Sequence, residues 1–386
     1  MCHKRMARYT ALAIMTRILP VPLQMTTMFL ARARVCALPL LSVVTLGCAA
    51  GDSDGAPLNA DGTTADFDAI ARTYRTPAVL SFAASRAGID RALGAATVTP
   101  ATDLAAARSR REFGARARDF AVHARAVAMR GDEPRPPNAA HLAPAVRGVT
   151  FVWDPRLARY VPAQRPGAPV GGTRFLLYAL DAATGLPARP LQPVGHVDVA
   201  DTLVGDVPML RLRVMSGNTT WLEYGVTAER TVTRANVAIR GFATNGVDRV
   251  TFAVTSDLAL DDDPEAGRID YRLAVPSRDV ALQWTVALGG LRSAADPLSL
   301  DLALSSADGS VMLEGSMAGG AGTLYALANN VPVSTVVLAR DGLSLASPDG
   351  AQLEAPEARA LRRVLTSVDE ASRFSDLLLT PVASVM

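Results

Sequence analysis

Lysine is absent after Lys4, cysteine is absent after Cys48, and only 5% of the 386 residues are aromatic. Each scarcity removes a chemistry. Without lysine there is no Schiff-base catalysis. Without cysteine there is no disulfide, no thiolate zinc site and no thiol nucleophile beyond residue 48. Histidine is also scarce: only His123, His141 and His196 follow the N-terminal segment. There is no G-x-S-x-G elbow, and "EGSMAGG" spaces its glycines wrongly for one. A P-loop, a dinucleotide fingerprint and H-E-x-x-H are missing as well. Trp153, Trp221 and Trp284 are far apart in the chain, which argues against a stacking platform for sugar or single-stranded nucleic acid.

Acidic residues are missing from residues 1–47, which hold six basic ones: Lys4, Arg5, Arg8, Arg17, Arg32 and Arg34. The last two immediately precede an apolar run from Val35 to Leu46. A positive stretch, a short apolar core and small residues are the parts of an export signal. The run is too short for a membrane span, which needs about 20 apolar residues. Translation from Met25 or Met28 would give a signal of ordinary length, so residues 1–27 are expected not to be translated. Of the 39 basic residues, 33 follow Cys48 together with all 37 acidic ones, a net charge of −4. The sequence pI of 8.5 therefore reflects the signal, and a basic nucleic-acid binder is disfavoured.

The end of the apolar run, Thr45-Leu46-Gly47-Cys48, resembles the lipobox of bacterial lipoproteins. Gly47 and Cys48 match, and Thr45 stands where that family usually has an aliphatic residue. The resemblance covers residues 28–50 only. It implies cleavage before Cys48, a lipid on its sulfur, and a membrane partner through that anchor. Ala49 after the cysteine implies the outer membrane, with the chain facing the periplasm or the cell surface. Ordinary cleavage after Ala50 is the competing reading. The stretch "GDSDGAPLNADGTTA" has the composition of a flexible tether, assigned to residues 48–65.

A helical segment is expected over residues 66–130. Thr76-Pro77 reads as a cap followed by proline at the first helical position. A stronger helix is expected from Asp103 to Arg130. It places Phe113, Ala117, Phe120, Ala124 and Val127 on one face and Arg108, Arg111, Arg118 and Arg125 on the other. Those four arginines are candidates for contact with anionic headgroups. A Pro-rich connector occupies residues 131–147.

From residue 148 to 350 the period becomes two. In "DVALQWTVAL", Val280, Leu282, Trp284, Val286 and Leu288 alternate with Ala281, Gln283, Thr285 and Ala287. Such alternation predicts antiparallel strands with one buried face. Asn245-Gly246, Asp308-Gly309, Asp341-Gly342 and Asp349-Gly350 supply turns. About a dozen strands are expected, joined as a meander. A helix over residues 355–380, with Leu361, Val364, Leu365, Val368, Ala371 and Leu378 in one stripe, closes the chain. The fold class is mainly β with flanking helices: a large curved, half-barrel-like antiparallel meander packed on amphipathic helices, with a two-sheet β-sandwich as the alternative.

Chemistry has two local candidates. In "GHVDVAD", His196 and Asp198 share a strand face with Asp201 near, a weak start for a metal site. In "LDDDPEAG", Asp261, Asp262, Asp263 and Glu265 share one loop without the EF-hand spacing, and a solvated hairpin tip is expected there. No cofactor is implied. The expected function is a non-enzymatic binding or structural module of the cell envelope. An apolar ligand such as an acyl chain, or an envelope protein, would be its partner. A metal-assisted hydrolase at His196 and Asp198 is the alternative.

Overall fold

The computed structural model describes residues 59–94, 115–130, 140–204, 207–260, 267–290, 296–339, 342–349 and 353–386. Three helices come first: α1 (Ala60–Thr73), α2 (Pro77–Leu93) and α3 (Ala115–Arg130). The first begins inside the stretch expected to be a tether, because the Asn59 side chain caps it by accepting from the Gly62 amide at 3.0 Å. Proline at the first position of α2 fixes the backbone angle and removes a donor that would have gone unpaired.

The strands follow in chain order. At one end of the sheet lie β1 (Thr150–Asp154), β2 (Arg159–Ala163), β3 (Gly172–Tyr178) and β4 (Pro193–Val204). The next strands lead to the middle: β5 (Val207–Ser216), β6 (Thr219–Arg230), β7 (Arg234–Thr244) and β8 (Arg249–Ala259). Then come β9 (Gly267–Val275), β10 (Val280–Leu288), β11 (Leu298–Ser306) and β12 (Gly309–Ala318). β13 (Ala321–Ala328), β14 (Val331–Ala339) and β15 (Gly342–Ala346) complete the sheet. A last helix, α4 (Ala355–Leu379), runs into a short 3-10 turn at Thr380–Val382.

All fifteen strands form one hydrogen-bonded sheet, mainly a meander. One pairing departs from the expected antiparallel rule. The order at the far end is β3-β1-β2, so β1 pairs parallel with β3 and antiparallel with β2. The short β2 hairpin folds back on the outside of β1, and β2 carries Pro162, which an edge strand tolerates because one of its sides donates no ladder bond.

The sheet has two unlike faces. On β10, Val280, Leu282, Trp284, Val286 and Leu288 are buried, and Trp284 is only 2% exposed. The helices cover this inner face. The Ser81 hydroxyl of α2 donates to the Tyr178 carbonyl at 2.8 Å and accepts from the Tyr178 amide at 3.1 Å. The Tyr224 hydroxyl of β6 donates to the Leu378 carbonyl of α4 at 2.9 Å. After α4, the Ser384 amide donates to the Asp90 carboxylate of α2 at 2.7 Å, and Val382, Val385 and Met386 are buried. No described helix is long and apolar enough to cross a membrane.

Candidate functional site

The residues singled out from sequence fall in three places. His196 and Asp198 lie on the outer face of β4, because Val197 and Val199 turn inward and are fully buried. Asp198 is already engaged. Arg174 of β3, its cross-strand partner, donates from Nε and Nη2 at 2.7 and 2.8 Å, a two-pronged pair. His196 Nε2 is 3.8 Å from the same carboxylate, too far for a hydrogen bond. Burial, then the Arg174 cation, hold the imidazole pKa below its ordinary 6.5 against the opposing pull of Asp198.

Asp201 belongs to the inner register of the same strand. It accepts from the His141 amide at 2.8 Å and the Leu142 amide at 3.1 Å, which fastens the segment leading into β1. The three residues therefore serve two faces and two structural tasks. Among the described residues, no three His, Cys, Asp or Glu side chains converge where a metal ion could be held.

The arginines of α3 are placed differently from the amphipathic expectation. Ala117, Phe120, Ala124 and Val127 are buried as expected, and so are Arg118, Ala121 and Ala128. The sheet covers one flank of this helix and α4 the other, so the outward strip carries Asp119, Val122, Ala126 and Met129. Arg118 is 9% exposed and donates to the Asp296 carbonyl at 2.6 Å, and Arg125 is half-buried and donates to the Leu260 carbonyl at 3.4 Å. Both guanidinium groups satisfy carbonyls at strand ends instead of facing water. Arg108, Arg111, the Asp261–Glu265 cluster and Cys48 lie outside the described residues.

One grouping escaped the sequence reading. Tyr74, Phe252, Tyr271, Trp284 and Phe374 line a single internal cavity beneath α4. Tyr271 and Trp284 stack with centroids 4.4 Å apart, and Tyr74 and Phe374 lie 4.0 Å apart. The cavity has a volume of only about 10 Å³, the lower limit for one water. The Tyr74 and Tyr271 hydroxyls and Trp284 Nε1 are buried there without a hydrogen-bond partner among the described residues. Ser372 lies beside Tyr271 but donates to the Val368 carbonyl at 3.0 Å. Burial pushes the pKa of both phenols upward. Five separate segments supply these rings, so no local motif announces them.

The outer face around β5 to β7 is open. Depressions of about 500 and 420 Å³ meet at Met209, Gly225 and Arg240. Glu223 stands at the rim and accepts from Arg211 Nε at 3.0 Å and Arg213 Nε at 2.9 Å. No known protein family, curated protein or solved structure matches the chain.

Proposed function

We propose that this chain is a non-enzymatic binding or structural module of the bacterial cell envelope, held at a membrane by lipid on Cys48. The observation that carries the reading is the N-terminal pattern: Arg32 and Arg34, an apolar run, then Leu46-Gly47-Cys48 and a polar stretch before α1. Ala49 after the cysteine favours the outer membrane as the destination. Fifteen strands are too many to lie flat in a single stable open sheet, and the described helices pack on one face of it. An open half-barrel wrapped around α2, α3 and α4 accounts for both facts. The interior cavity of about 10 Å³ is too small for an acyl chain unless α4 moves. The protein's own helices therefore occupy the apolar face, and partners meet the outer face. The hydrolase alternative finds no support in the placement of Asp198 and Asp201, each engaged in a separate structural contact.

Mass spectrometry of the N-terminal peptide tests the anchor. A diacylated Cys48, with Cys48→Ser accumulating as an uncleaved or soluble form, is the expected result. An unmodified N-terminus at Gly51 would overturn the proposal.

A further inference from the structure

The register of the central strands lines up arginines that are far apart in sequence. One cross-strand row on the outer face reads Ala200, Arg211, Gly225, Arg240, Ala253, Arg272 from β4 to β9. The arginines stand on alternate strands, about 9.5 Å apart by the ordinary strand spacing. A glycine or an alanine separates each pair. Gly225 makes room for the Met209 side chain, since a Cβ there would run into the Met209 sulfur. The two outer depressions meet at this point of the row.

Charge is unevenly satisfied along it. Arg211 shares Glu223 with Arg213. Arg240 and Arg272 are exposed and make no ion pair or hydrogen bond with any described residue. Asp270, next to Arg272, is held by Arg268 and by the Thr285 hydroxyl, at 2.8 and 2.6 Å, and feels Arg272 only through its charge, without a direct contact. On β5 to β9 the outward arginines outnumber the outward carboxylates, although the chain after Cys48 is acidic overall.

We propose that this row binds an extended acidic polysaccharide through carboxylates that recur along the polymer. A guanidinium fork matches a carboxylate with two parallel hydrogen bonds, and a recurring row fits recurring acids better than a single anion. Thr227, Asn236 and Thr255 beside the depressions offer partners for sugar hydroxyls, while Glu229, Asp257 and Asp270 line the same depression and confine the polymer's carboxylates to the arginine row. Recognition is by charge and hydrogen bonding, not by stacking. Of the two aromatic residues at the first depression, Tyr224 is buried and Phe242 has one ring face under the Arg249 guanidinium at 3.7 Å, a poor stacking platform for a nucleobase. A flat bilayer would ride on the rim and leave the floor unreached. The inference rests on the chain being a binding module and is independent of lipid at Cys48.

The test uses the purified protein with polygalacturonate as probe, and neutral dextran and phosphatidylglycerol vesicles as comparisons, at low and high salt. Polygalacturonate should bind at low salt and weaken at high salt, and dextran should not bind. The double substitution Arg240→Gln with Arg272→Gln should weaken binding roughly tenfold or more, the effect of losing about 1.4 kcal/mol. Circular dichroism of the double variant should match the parent, since both side chains are exposed. Absent binding, or equal binding by parent and variant, overturns the proposal. Vesicle binding without polygalacturonate binding, lost in the same variant, would assign the row to a membrane surface instead. Mass spectrometry of Cys48 on the same preparation separates failure here from failure of the anchor.

Discussion

His123 Nδ1 and Asp376 Oδ1 lie 2.9 Å apart across the seam between α3 and α4, one heptad along each helix from the Arg116–Asp369 pair at 2.8 Å. Equal spacing on both helices means that they run parallel, with two polar rungs two turns apart. A double-mutant cycle with His123→Ala and Asp376→Ala should give a coupling of about 0.5–1.5 kcal/mol. Urea unfolding measures it, and additive single effects would show that the rung contributes nothing.

Trp284 is stacked on Tyr271 inside the core, so Trp284→Ala should destabilise by about 3–5 kcal/mol. With Trp153 and Trp221 replaced by Phe, emission should be blue-shifted and protected from iodide. Ready quenching in the folded state would refute the assigned face. Tyr271→Phe removes a buried hydroxyl that has no partner, so it should leave stability unchanged or raise it, by up to about 1–3 kcal/mol.

Glu223 should make stability sensitive to acid. Burial raises its pKa, but hydrogen bonds and charge from Arg211 and Arg213 outweigh this and hold it below the ordinary 4.5. A depressed carboxylate stabilises the fold above its unfolded pKa, and that stability is lost as pH falls through the folded value. Glu223→Gln should therefore be less stable than the parent at neutral pH, with the gap closing from about 4.5 downward. Urea midpoints across a pH series decide it, and a gap that does not change with pH contradicts the assignment.

Asp201→Ala should release the segment before β1 by removing the acceptor of two backbone amides, at a cost of about 1–3 kcal/mol. Hydrogen exchange at the His141 and Leu142 amides should accelerate. Unchanged protection would mean that other contacts hold the segment.

Local pattern made much of this fold legible. The alternation around Trp284 predicts its burial, Thr76-Pro77 marks the start of α2, and the stripe from Leu361 to Leu378 is the buried face of α4. Pairing was not legible. Pro162 in a short strand was a readable sign of an edge, yet nothing local says that β1 would turn to β3 in parallel. Arg118 looked solvated on a helical wheel because the wheel does not know that the carbonyl of Asp296, 178 residues on, needs a donor. The Arg211, Arg240 and Arg272 row depends on which residues stand opposite one another across five strands, which the alternation within any one strand does not reveal.

Of the helices that cover the sheet, α4 follows all fifteen strands in the chain. Arg363 of α4 binds Asp68 of α1 across a separation of 295 residues, whereas nearly every strand pairs with its neighbour in sequence. Local hairpins form quickly, and the long loop between α1 and α4 closes slowly. As the chain emerges, the strands can zip up before their apolar side has its final cover. During that interval the nascent sheet is a sticky, half-dressed intermediate, covered only by the preceding helices until α4 arrives.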